Sequence, residues 1–81
     1  MKFIYAPAFL KNYKELSAEL REQLDKQLAF LAIDPHHPSL RIHKRRGEKD
    51  IWQARITQSY RLFFRMQGDT IILLAVGPHE K

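Results

Sequence analysis

The sequence predicts an α+β fold of order β-α-α-β-β-β-β, a helical hairpin packed on one face of a mainly antiparallel twisted sheet. Three observations predict it. Apolar residues recur at helical spacing between Phe9 and Leu31. From Ile51 to Met66 the pattern changes to a two-residue alternation, and an apolar run, TIILLAV, closes the chain. The chain has 81 residues, so a single domain over 1–81 is expected, large enough for one modest core.

Residues 2–5, KFIY, open as a short strand. Pro7 suits the first turn of a helix because its φ is already fixed near the helical value. Phe9, Leu10, Tyr13 and Leu16 follow at helical spacing. Ser17 is an N-cap candidate for a second helix. Leu20, Leu24, Leu28 and Leu31 line one face of that helix, with Leu16 leading in. Asp34-Pro35 ends it, since a residue before proline avoids the α region.

A turn with two prolines precedes a strand expected at Leu40–His43, and a basic loop with Gly47 follows. Ile51–Thr57 and Tyr60–Met66 are the next two strands. Gln67-Gly68-Asp69 gives a tight turn. Thr70–Val76 is nearly continuous apolar, the pattern of a strand covered on both faces.

The charge is unevenly placed. Residues 1–40 hold five basic and five acidic side chains, and residues 41–81 hold nine and four, so the net +5 lies entirely in the second half. This asymmetry predicts an anionic partner. Alternation along the strands sharpens it. If Trp52, Ala54 and Ile56 face the helices with Tyr60, Leu62, Phe64 and Met66, then Gln53, Arg55, Arg61, Phe63 and Arg65 share the uncovered face. Arginines held at fixed spacing suit phosphate, and an aromatic among them suits a nucleobase. The basic cluster Arg41-Ile42-His43-Lys44-Arg45-Arg46, with Lys44, Arg45 and Arg46 as the expected RNA contacts, adds an electrostatic landing site.

There is no cysteine, which excludes disulfides and thiolate chemistry and fits a reducing compartment. No apolar run has membrane-spanning length and no secretory leader is legible, so a cytoplasmic protein with no membrane contact is expected. The four histidines lack partners at metal-ligand spacing, and no phosphate-loop, dinucleotide or serine-hydrolase motif occurs. No metal and no small-molecule cofactor is expected. His79, beside Glu80, is placed to act as an acid or base.

The stretches HKRRGEKDIWQARIT, SYRLFFRMQGDTIILLAVG and PHE, after a helical hairpin, resemble the RelE/ParE family of toxins from type II toxin–antitoxin systems. The resemblance covers essentially the whole chain. It implies the RelE-like fold and a cognate antitoxin as partner. For the RelE-like branch it implies translation inhibition by a metal-independent endoribonuclease that cuts mRNA in the ribosomal A site. There the 2′-hydroxyl attacks the scissile phosphate. By resemblance, Arg61 in "YRL" is the phosphate-binding arginine, Arg55 a second basic strand residue, and His79 the general acid. Gln53 stands where the best-known members carry lysine, and the tyrosine that many carry beyond the histidine position is absent from this sequence. The alternatives the resemblance implies are a ParE-like inhibitor of DNA gyrase and an inactive antitoxin-binding member.

Overall fold

Each element forms for a local reason. β1 (Lys2–Tyr5) ends at Ala6, which stays extended, and Pro7 opens α1 (Pro7–Glu15). Leu16 breaks out of the helix at φ −71°, ψ 147°. The Ser17 hydroxyl then accepts the backbone N–H of Leu20 at 3.1 Å and caps α2 (Ala18–Ile33). Asp34 ends α2 in an extended conformation ahead of Pro35. The computed structural model describes residues 1–45, 47 and 50–78.

Beyond α2 the chain departs from expectation. Pro38–Leu40 is a short 3₁₀ turn rather than the start of a strand, and β2 is only His43–Lys44. The reason is local. The His37 ring nitrogen Nδ1 accepts the Ser39 N–H at 3.2 Å, and Pro38 occupies the first turn, so the backbone curls before it extends. The curl drives Leu40 fully into the core. β3 (Trp52–Arg55), β4 (Tyr60–Gln67) and β5 (Thr70–Pro78) complete the chain. The β4–β5 turn has two residues, Gly68-Asp69, with Gly68 at φ +59°, the position that favours glycine in a tight hairpin.

Among the described residues the strands form one sheet of order β1-β5-β4-β3-β2. β1 runs parallel to β5, and the other pairs are antiparallel. The helices cover one face. Phe9, Leu24, Leu31, Leu40, Leu62 and Phe64 lie at the centre of the core with Ile71 and Leu73. Leu28 and Leu16 pack against it, whereas Leu10 is 49 % exposed and takes no part.

β5 is not covered equally on both sides. Ile71, Leu73 and Val76 are buried, while Ile72, Leu74 and Ala75 are half-exposed. The register jumps here: Phe63 faces Ala75 but Phe64 faces Leu73, which leaves Leu74 as the extra residue of a bulge. Without it, Leu73 and Val76, three apart, would point to opposite faces. Among the described residues, the outer edge of β5 beyond β1 has no strand beside it. The side chain of Asn12 in α1 stands in, accepting the Val76 N–H at 3.1 Å.

One polar side chain sits inside the helix–sheet seam. Gln27 is 7 % exposed, between the leucines of α2. Its Nε2 donates to the Ser39 carbonyl at 3.1 Å and to the Arg55 carbonyl at 2.8 Å. Both amide hydrogens are thereby used, and helix, 3₁₀ turn and β3 are joined at one point.

Replacing Gln27 by Leu should leave two carbonyls unpaired and lower stability by about 1–3 kcal/mol. A drop in the urea midpoint with an unchanged slope would show it. A second link has a pH signature. The Tyr13 hydroxyl donates to both Asp25 carboxylate oxygens, at 3.0 and 3.1 Å. That hydrogen bond, then burial and the Asp25 charge, raise the phenol above its ordinary value of 10.0. The contribution is therefore complete below pH about 10 and lost as pH rises through the folded-state value. Tyr13→Phe should remove this alkaline decline, read as a shallower fall in melting temperature above pH about 10.

Candidate functional site

The register fixes which side chains share the uncovered face. Arg55 of β3 stands directly opposite Arg61 of β4, and Gln53 stands opposite Phe63. His43 of β2 faces Gln53, so His43, Gln53 and Phe63 form one row across the sheet, with the two arginines in the next. Arg65 lies two residues beyond Phe63 and faces Ile72, which in turn faces Ile4 of β1. The face is thus basic over β3 and β4 and apolar over β5 and β1, where Ile4 is 53 % exposed.

Arg61 is held rather than free to sweep. Its Nη1 donates to the carbonyls of Thr57 at 2.7 Å, Gln58 at 3.1 Å and Tyr60 at 3.0 Å. The β3–β4 connection wraps around one corner of the guanidinium. Burial, then the charges of Arg55 and Arg41, lower its pKa from the ordinary arginine value. Arginine remains protonated throughout the physiological range. The direction reports burial first and, after it, the repulsion of two neighbouring cations, which an anion nearby would relieve.

Arg45 reaches over the same face, its guanidinium carbon 4.5 Å from the Phe63 ring centroid. The stacking surface expected at Phe63 is therefore capped by a cation, and the outermost layer there is guanidinium. Gln53 has the predicted face but is only 9 % exposed, sunk between His43 and Phe63. It lines the floor of the site.

Lys44 does not join the group. Strand alternation sends His43 and Lys44 to opposite faces, and Lys44 pairs with Trp52, whose neighbour Phe64 is core. Its Nζ lies 5.5 Å from the Trp52 ring centroid. Reading Lys44 and Arg45 as one patch overlooked this split. On that side a groove of 390 Å³ runs between Pro35, Arg41, Ile42, Trp52 and Met66, with neither Arg55 nor Arg61 in its lining. Arg46 and His79, both expected at the site, lie outside the described residues.

Two members of the basic cluster 41–46 that were not among the expected RNA contacts belong here. Arg41 acts on Arg61 through its charge. His43 shares the arginine face, its Nδ1 3.0 Å from the Arg41 carbonyl. The signal for both was available: Arg41, His43 and Arg45 alternate, as do Gln53 and Arg55.

Among the described residues no three His, Cys, Asp or Glu side chains converge in a way that could hold a metal ion. No helix among them is long and apolar enough to cross a membrane.

Residues 3–81 match the family model of the ParE toxin of type II toxin–antitoxin systems. The chain belongs to this family, within the RelE/ParE superfamily. Solved structures of the same fold include a YoeB/ParE toxin from Agrobacterium tumefaciens, at 17 % identity over 99 % of this chain and 100 % of that one, TM-score 0.81. The intact RelBE toxin–antitoxin complex of E. coli is similar at 25 % identity over 99 % and 98 %, TM-score 0.77. A RelB–RelE antitoxin–toxin complex from Methanococcus jannaschii is similar at 22 % identity over 93 % and 88 %, TM-score 0.76. No curated protein matches the chain. These neighbours share the helical hairpin and sheet of this toxin, so the basic face described above sits on the scaffold common to them.

The crowded cations predict salt-sensitive capture of polyanions. Affinity for a single-stranded RNA oligonucleotide should fall with salt at a log–log slope near −0.7 per phosphate engaged. Arg65→Ala should reduce that slope by about 0.7, measured by fluorescence anisotropy over a salt series.

Proposed function

We propose that this toxin is a metal-independent endoribonuclease that cuts mRNA in the ribosomal A site. The observation that carries the reading is the pair Arg55 and Arg61, directly opposite on one sheet face; burial first, then the charges of Arg55 and Arg41, lower the Arg61 pKa. Such a cluster suits a phosphate whose charge grows during reaction. In this reading the ribose 2′-oxygen attacks the adjacent phosphorus. The P–O2′ bond forms and the P–O5′ bond breaks, leaving a 2′,3′-cyclic phosphate and a 5′-hydroxyl.

Arg61 binds the scissile phosphate and Arg55 assists it. The carbonyls around Nη1 fix the orientation of the Arg61 guanidinium, which favours preorganised over adaptive binding. His79 is assigned the proton for the leaving 5′-oxygen. Arg45, Arg46 and Arg65 hold flanking RNA by charge, and Gln53 and Phe63 underlie it. The activity places the protein in the cytoplasm and needs no cofactor. A cognate antitoxin with an acidic segment suits the open face, because Arg55, Arg61 and Arg65 adjoin the apolar strip of Ile4 and Ile72.

A second reading has support from the family model, whose description is that of a ParE toxin. In it the chain inhibits DNA gyrase and cuts no RNA.

The two separate in one experiment. Wild type and Arg61→Ala are induced without antitoxin, and new 5′ ends are mapped by primer extension on translated messages. In-frame cuts with wild type, reduced at least about 100-fold in the folded variant, are expected. Growth arrest without cuts supports the gyrase reading.

A further inference from the structure

The reaction proposed above needs a group to take the proton from the attacking 2′-hydroxyl. We infer that His43 is that general base, acting through Nε2. The inference rests on the ribonuclease reading and extends it.

The first argument is the tautomer. His43 Nδ1 lies 3.0 Å from the Arg41 carbonyl oxygen. A carbonyl only accepts, so in the neutral ring Nδ1 carries the hydrogen and Nε2 carries the lone pair. The ring is thus oriented as a proton acceptor on the side away from the backbone.

The second argument is that the orienting carbonyl is itself fixed. Arg41 is a non-glycine residue at φ 47°, ψ 49°, a left-handed conformation rarely held without surrounding constraint. It closes the 3₁₀ turn whose last residue, Leu40, is fully buried, and its N–H donates to the Pro38 carbonyl. Two residues later the chain enters β2. The core therefore sets the direction of the Arg41 carbonyl, and the carbonyl sets the imidazole. Arg41 is a positioning residue through its backbone and a charge neighbour of Arg61 through its side chain.

The third argument is placement. His43 faces Gln53 in the row beside Arg55 and Arg61, on the same sheet face. Strand spacing puts its Cα about 8 Å from that of Arg55 and about 12 Å from that of Arg61. These three positions on one face span a distance comparable to one nucleotide. The other two described histidines are elsewhere. His37 is stacked on Phe30 at 4.1 Å, and His36 lines the groove on the helix side. The charged groups facing His43 are Arg41 and Arg45 on its own segment, Arg55 on β3, and Arg61 and Arg65 on β4.

In the step, Nε2 of His43 takes the 2′-hydroxyl proton as the P–O2′ bond forms. The P–O5′ bond breaks and the leaving oxygen takes its proton from the general acid assigned above. The imidazolium then returns its proton to water.

The test is single-turnover cleavage of a defined mRNA on programmed ribosomes across pH. His43→Asn retains an amide donor for the Arg41 carbonyl but offers no base. It should slow cleavage at least about 100-fold and lose the ascending limb of the wild-type pH–rate profile. His43→Gln, which shortens no backbone contact, should behave in the same way, with unchanged circular dichroism for both. Cleavage within about threefold of wild type, or slower cleavage with the ascending limb intact, overturns the assignment. A wild type that cuts nothing on ribosomes overturns the ribonuclease reading, and the role of His43 with it.

Discussion

The Gln27 amide is the contact on which the arrangement of the open face turns. Its two hydrogens go to the carbonyls of Ser39 and Arg55, from inside the seam between α2 and the sheet. A buried amide is costly unless both hydrogens are met, and here both are met by backbone. The effect is geometric as much as energetic. β3 is four residues long and could slide or twist, yet its last residue is tied to the helix layer. Arg55 therefore presents its side chain to one face from a backbone clamped on the other. The same amide holds the 3₁₀ turn from which Arg41 and His43 emerge.

Above that clamp the sheet gathers like charges, which a stable surface would ordinarily disperse. Arg41, Arg55 and Arg61 repel one another enough to lower the Arg61 pKa, with burial the larger cause. Three backbone carbonyls on Nη1 offset part of that cost, since oriented carbonyl dipoles stabilise a cation. In the proposed reading the rigid sheet would supply the spacing for a phosphate, and an anion would relieve part of the repulsion among these cations.

Much of this was legible. Ser17 was read as a cap because its hydroxyl can meet an orphan N–H, and it does. Arg55, Arg61, Phe63 and Arg65 were assigned to one face from alternation alone, and the register agrees. The run TIILLAV hid its bulge because apolar residues at both parities give no period to break. Gln27 was passed over as a polar residue in a leucine stripe, since its partners come from segments 12 and 28 residues away. Lys44 was grouped with its neighbours by proximity in sequence, whereas a strand separates neighbours by face.

By itself the sequence determined both helices, the strands other than β2, their order and the two faces of the sheet, because caps, turns and periodicity act over a few residues. Family membership follows from the same ordered pattern, matched over residues 3–81. Tertiary structure alone decided which residues meet across strands: Arg55 with Arg61, His43 beside Gln53, Arg45 over Phe63. It also decided that Arg41 turns left-handed and points its carbonyl at an imidazole. Those outcomes depend on register and on the burial of Leu40, which are settled only when distant segments pack together.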